Sequence, residues 1–307
     1  MRWVTYRGSA GERVGLVSTD EILGCQPGVA LADLLRRDGG LKRAAEDVER
    51  APHERVPVNG ADLAAPLVPH QIRDCLCFLD HLRNARGTPD LEPIWDEIPG
   101  FYFSNVAAVV GPYDPVRVSP GCEMFDFELE IGAVIGQPVS DADPSEGANA
   151  IVGFMILNDW SSRDIQLHEM ELGLGPAKGK DGANTLGPAL VTVEELAPHR
   201  DGDSYDLGMR AYVNGELVGS GNMNQMDWGW GELVAYTSRG TRLVPGDVLG
   251  SGTVPTGCLL EHFRTKRADE FRGWLTPGDV VRLEVDGLGH TEQTVLEPVT
   301  AHPIGAR

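Results

Sequence analysis

Glu128 and Glu130 lie in the stretch Phe125-Asp126-Phe127-Glu128-Leu129-Glu130-Ile131, where apolar and acidic residues alternate. A strand over 125–136 would put Phe125, Phe127, Leu129 and Ile131 on one face and three carboxylates on the other. Glu128 and Glu130 would then stand about 7 Å apart, close enough to share one divalent cation. Like charges in a row repel unless a cation covers them or water bathes them. Taken alone, the stretch reads first as the solvated outer face of an amphipathic strand and only second as a metal site.

Other clusters downstream and upstream change that order. Asn158-Asp159-Trp160-Ser161-Ser162-Arg163-Asp164-Ile165-Gln166 follows an apolar strand over 151–157. A helix over 159–172, capped by Asn158 or Asp159, would line up Asp159, Arg163 and Gln166 on one face. That face is either a surface ion pair with a bystander or a metal ligand beside two anion-stabilising donors. Asp74 and His81 are seven residues apart, on one face of a helix over 72–84. A lone His next to Asp80 is more often a surface or capping residue than a base. Gly175-Pro176-Ala177-Lys178-Gly179-Lys180-Asp181-Gly182 lacks the GxxxxGK[ST] spacing of a nucleotide loop. Its lysines are otherwise those of a solvated loop. Gly250-Ser251-Gly252-Thr253 precedes Gly257-Cys258-Leu259-Leu260-Glu261, where one acid interrupts an apolar segment and must find a partner or reach water.

The elements that must position these groups are short. Thirty-eight glycines and 21 prolines are scattered along 307 residues, as in a chain of brief strands and tight turns. Residues 2–7 and 13–18 form a hairpin pattern around Gly8-Ser9-Ala10-Gly11, and two helical patterns cover 31–36 and 41–49. Further strands are expected over 101–103, 106–110, 188–192, 207–213, 280–285 and 293–299. Regular strand–helix alternation is missing, which predicts a β-rich α+β fold. The turn-rich run ending at Pro66-Leu67-Val68-Pro69 suggests a small N-terminal domain over 1–66 and a large one over 67–307.

Composition limits the partners. A formal net charge of −20 argues against nucleic acid and anionic membranes. An anionic small molecule would need a local metal, Arg or Lys. Hydrophobic residues at 41% support a proper core. The five cysteines have no paired framework, the N-terminal residues show no signal-peptide core, and no apolar run reaches the length of a membrane span. A soluble cytoplasmic protein with reduced thiols is expected.

Taken in order, these clusters resemble the fumarylacetoacetate hydrolase superfamily over about residues 70 to 300. The pairing of Phe127-Glu128-Leu129-Glu130 with the NDWSxRDxQ stretch at 158–166 is highly specific. The resemblance implies a mixed β-roll catalytic domain with a smaller N-terminal β domain, a homodimer, and one Mg²⁺ (or Ca²⁺ or Mn²⁺) on carboxylates. It implies Asp74, Glu128, Glu130 and Asp159 as metal ligands, an oxygen set suited to a hard cation. It also implies His81 as general base oriented by Glu261, and Arg163, Gln166 and a lysine as oxyanion donors. Lys178 fits the spacing best and Lys180 almost as well. Tyr102, Lys180 and Thr253 would contact substrate. Met170 and Leu76 depart from the hydrolase branch, which carries polar aromatics there, and the lysine loop lacks that branch's hydroxyl. The implied activity is hydrolysis of a carbon–carbon bond in a β-diketo acid of the fumarylacetoacetate or acylpyruvate type. Decarboxylation, hydration or tautomerisation of a 2-oxo acid is the alternative.

Overall fold

The structure is a computed structural model that describes residues 1–9 and 11–305; Ala10, in the expected first hairpin turn, lies outside the described residues. Its centre is the strand pair Leu129–Ile135 and Ile151–Asp159, whose residues are almost all buried on both faces. Both segments are too short and too apolar to expose a face, so they take the middle of a sheet. The antiparallel register sets Leu129 against Asn158 and Glu130 against Leu157. Gly153 is required here, because a Cβ would meet the Val191 carbonyl at 2.4 Å.

Among the described residues the main sheet has 12 strands. Its path starts at Glu54–Pro57, then crosses Glu21–Gly24, Gly11–Ser18, Arg2–Gly8, Asn184–Thr192, Ile151–Asp159, Leu129–Ile135, Val248–Gly250, Ile72–Cys75 and Phe101–Ser104. A second sheet, containing Gly208–Val213, Glu216–Asn222, Val280–Val285 and Gly289–Leu296, covers one face. Its strands Gly208–Val213 and Val280–Val285 alternate buried and half-exposed residues, the pattern of a sheet with one face in the core. Phe154 packs against Tyr205 and Trp230 in that core. The opposite face of the main sheet is covered by helices Leu31–Arg36 and Gly40–Arg50 through Leu31, Leu34, Leu41, Ala44 and Val48. The β-rich α+β class expected from the sequence is the one observed.

Four local expectations differ; the strand expected over 106–110 is a 3-10 turn over Val106–Ala108 followed by a two-residue strand, Val109–Val110. The helix over 72–84 splits: Ile72–Cys75 is a strand, parallel to Val248–Gly250 and antiparallel to Phe101–Ser104, and the helix runs only over Leu79–Arg86. Sheet partners distant in sequence override the local helical pattern. The helix over 159–172 likewise starts later, at Arg163, because Asn158 and Asp159 still pair with Thr185 and Asn184. The strand over 125–136 breaks at Phe127 and Glu128. Phe125–Asp126 pairs with Ser161–Ser162, while Leu129 onwards joins the main sheet.

Residues 1–66 form an edge of the same sheet. Trp3 faces Leu190 across the pairing of Arg2–Gly8 with Asn184–Thr192, and Trp3, Leu186, Met155 and Val134 share one core. A boundary at residue 66 therefore divides a continuous hydrophobic layer. We expect a single cooperative thermal transition, and Trp3→Ala should lower the stability of the whole chain by about 3–5 kcal/mol. Calorimetric scans that resolve a separate early transition for residues 1–66 would contradict this.

Candidate active site

Four carboxylates expected as ligands converge from four strands or strand ends, and all are buried: Asp74, Glu128, Glu130 and Asp159. Asp74 sits on Ile72–Cys75, between Gly250 and Tyr102 in the sheet. Glu128 lies at the break between two strands, Glu130 one pleat further on, and Asp159 at the end of its strand. The alternation read from the sequence is real, but its acidic face points into the protein and not into solvent.

Two buried cations meet these acids. Arg163 donates from Nη2 to Glu128 Oε1 at 2.6 Å, from Nε to Asp126 at 2.9 Å and from Nη1 to Gln166 at 3.0 Å. Lys180 donates from Nζ to Glu128 Oε2 and, at 2.6 Å, to Asp159 Oδ2. The Tyr102 hydroxyl donates to Asp159 Oδ2 and, at 3.0 Å, to Asp74 Oδ2. Thr253 Oγ1 reaches Glu130 Oε1 at 3.3 Å.

The charge balance is uneven. Burial alone would push Glu128 up, but Arg163 and Lys180 outweigh it and hold its carboxyl well below the usual range. Burial, with the charge of Asp159 second, pushes Asp74 up to about 7. Burial and then the charges of Asp74 and Glu128 push Glu130 up. Asp159 is raised by burial, against the pull of Lys180. Asp74 Oδ1, Glu130 Oε2 and Asp159 Oδ1 have no hydrogen-bond partner. Three orphaned, buried carboxylate oxygens lining one cluster are groups that a hard divalent cation would satisfy, so the chemistry of these residues fits such an ion.

A second donor group needs comparison. Among the described residues, His81, Cys258 and Glu261 offer donor atoms all within 4.8 Å of one another, a spacing that no three of the carboxylates meet. The carboxylates are held wider by the Lys180 ammonium and the Tyr102 hydroxyl between them. A hard cation would suit the carboxylates better all the same. A thiol donor suits softer metals, and His81 Nδ1 and both Glu261 oxygens already have partners.

His81 Nδ1 lies 2.9 Å from Glu261 Oε1. A carboxylate accepts, so Nδ1 carries a proton, and in the neutral ring the lone pair is then on Nε2. His81 rides on helix Leu79–Arg86 and Glu261 on helix Leu259–Thr265. Both helices start on remote carboxylates: Leu79 N–H donates to Asp227 at 2.7 Å, and Leu259 and Leu260 N–H donate to Asp126. Glu261 Oε2 also accepts from Asn84 Nδ2 at 2.8 Å and Thr256 N–H at 2.9 Å, which fixes it.

The choice of lysine is corrected by the geometry. Lys178 is mostly exposed and pairs with Asp181, whereas Lys180 is 4% exposed on the acid cluster. Glu169 decides this by accepting from the N–H groups of Ala177, Lys178 and Gly179 and clamping the loop against helix Arg163–Glu169. Gly179 permits the contact, since a Cβ would sit 2.6 Å from Gln166 Cα. The expected helix face of Asp159, Arg163 and Gln166 becomes a strand end followed by a helix, yet Asp159 and Arg163 still converge through Glu128. Local spacing assigns no role to Asp126, Asn84 or Glu169. Asn84 had a signal, because it is three residues from His81 on one helix face.

A cavity of about 380 Å³ opens from this cluster, lined at its inner end by Asp74, His81, Glu128, Glu130 and Lys180. Tyr102, Arg163 and Gln166 also line it.

Residues 71–296 match the family described as fumarylacetoacetate (FAA) hydrolase C-terminal. The chain belongs to the fumarylacetoacetate hydrolase family. The resemblance read from Glu128 to Gln166 holds, and with it the family's fold and membership of an enzyme superfamily. The chain is 32% identical over 219 residues to the mitochondrial oxaloacetate tautomerase fahd2 of Xenopus laevis, covering 71% of this chain and 63% of the relative. It is 33% identical over 213 residues to the human mitochondrial oxaloacetate tautomerase FAHD2A, covering 69% and 62%. The chain thus spans less than two thirds of these relatives' length. In fold it is similar to the maleylpyruvate hydrolase of Sphingobium sp. SYK-6, with a TM-score of 0.72, 23% identity, and 97% and 100% of the two chains covered. No helix among the described residues is long and apolar enough to cross a membrane.

In metal-free protein, Lys180→Met leaves Glu128 and Asp159 without their ammonium and should cost about 3–5 kcal/mol. Lys178→Met should change stability by about 0.5 kcal/mol or less. Urea titrations in chelator check both, and similar losses for the two variants would contradict the assignment.

Proposed function

We propose that the protein is a divalent-metal-dependent hydrolase that cleaves a carbon–carbon bond in a β-diketo acid of the acylpyruvate type. The single observation that carries it is the buried His81–Glu261 pair on the wall of the cavity that also holds the acid cluster. Asp74, Glu128, Glu130 and Asp159 would hold Mg²⁺, Ca²⁺ or Mn²⁺. The ion would supply a seat for two substrate oxygens and a Lewis acid for the enolate that leaves.

The chain's own groups do the rest. His81 Nε2, with Nδ1–H held by Glu261, takes a proton from water. The hydroxide adds to the acyl carbonyl carbon. Two of the three Lys180 N–H bonds are used on Glu128 and Asp159, which leaves one for the developing oxyanion beside Gln166 and Arg163. When the carbon–carbon bond breaks, its electron pair goes to the departing enolate, and the proton on His81 returns to that carbon. Water is consumed and two acids result. Tyr102 and Thr253 hold ligand carboxylates, so their contribution to substrate is through the site's shape. A cytoplasmic homodimer belongs to the same proposal; the free cysteines Cys25, Cys75, Cys77, Cys122 and Cys258 suit a reducing compartment.

The names of the two tautomerase relatives favour a second reading, keto–enol exchange of oxaloacetate or a similar 2-oxo acid. The same His81 nitrogen would then take a proton from carbon, with no water consumed. We expect His81→Ala to lower kcat on 2,4-dioxo acids by about 100-fold or more with an unchanged circular dichroism spectrum. A wild-type enzyme that equilibrates enol oxaloacetate but yields no carboxylic acid from any dioxo acid would overturn the hydrolase in favour of the tautomerase.

A further inference from the structure

The cavity changes character along its length. Past His81 and the carboxylates its wall is Leu76, Leu82, Ala85, Trp95, Met170 and Leu260. Leu82 and Leu260 are buried, while Met170 is 47% exposed and marks the rim. The wall comes from helices Leu79–Arg86 and Leu259–Thr265, the one-turn helix Met170–Leu172, the segment carrying Leu76 and the turn that carries Trp95, so it is a built surface and not a gap beside one loop.

A substrate tail lying there would meet no free cation. Among the described residues, Arg86 is the one basic side chain on the outer wall. Its guanidinium pairs with Glu92 at 2.5 Å and lies 5.2 Å from the centre of the Trp95 ring. Trp95 Nε1 donates to the same Glu92 oxygen at 3.0 Å. Arg86, Trp95 and Glu92 thus form a net neutral group, and Arg86 and Trp95 line the cavity. Arg163 and Lys180 are occupied at the inner end by Glu128. A second carboxylate on the substrate would lose water without gaining a partner, in a site already crowded with acids.

We propose that this cavity selects 2-oxo acids whose distal group is an uncharged hydrocarbon chain or ring, and discriminates against those ending in a second carboxylate. It rests on the acylpyruvate reading for the head group and adds the nature of the tail. Each methylene buried against the wall contributes about a fourfold gain in affinity, less where the tail nears the rim.

The test uses Mg²⁺-loaded full-length protein and N-substituted oxamates, whose oxalate-like head does not depend on turnover, titrated by calorimetry. We expect N-hexyl oxamate to bind at least about 10-fold tighter than N-methyl oxamate, and N-(5-carboxypentyl) oxamate at least about 10-fold weaker than N-hexyl. Met170→Asp, at an exposed position that tolerates charge, should narrow the hexyl-to-methyl ratio about fivefold or more, and Met170→Leu should keep it. A carboxypentyl ligand that equals or beats the hexyl one overturns the proposal, and so does failure of every oxamate to bind. A preserved ranking with no hydrolysis of any acylpyruvate supports the tail selection and counts only against the carbon–carbon cleavage.

Discussion

An excess of buried negative charge is the constraint on which the rest depends. Asp74, Asp126, Glu128, Glu130 and Asp159 are buried around Arg163 and Lys180. Each buried carboxylate costs several kcal/mol unless it is paired and hydrogen-bonded. Asp126 meets that cost with Arg163 and three backbone N–H groups, and Glu128 with both cations. Asp159 has Lys180 and Tyr102 on one oxygen, Asp74 only Tyr102 and Glu130 only Thr253, and each of the three keeps an orphaned oxygen. A hard divalent cation bound there would resolve the imbalance.

The same charges organise the catalytic frame. Asp126 both holds Arg163 and receives the first N–H groups of the helix that carries Glu261. A change there would disturb the acid cluster and the histidine pair together. Gly250 shows how tight the arrangement is: a Cβ would meet Asp74 Oδ1 at 2.5 Å. The site is therefore specified by sheet register as much as by its ligands.

Much of this was visible in the sequence, and the failures have physical causes. The period of two around Phe127 to Glu130 gave the strand and both faces, but periodicity reports faces and not what covers them. The acidic face is buried because helices Leu79–Arg86, Arg163–Glu169 and Leu259–Thr265 and the Lys180 turn gather around it, while the second sheet packs on the apolar face. Ile72 to Cys75 looked helical because its partners, Val248–Gly250 and Phe101–Ser104, are far away in sequence. His81 and Glu261 are 180 residues apart, so no local pattern pairs them and only the family resemblance did. Lys178 and Lys180 differ by how Glu169 grips the turn between them, a contact that spacing does not encode.

Anomalous diffraction from crystals grown with Mn²⁺ tests the central claim most directly. The account predicts one strong peak beside Asp74 Oδ1, Glu130 Oε2 and Asp159 Oδ1, with the Lys180 ammonium still on Glu128. A peak at His81, Cys258 and Glu261, or none at the acid cluster with Mn²⁺ in excess, would contradict it.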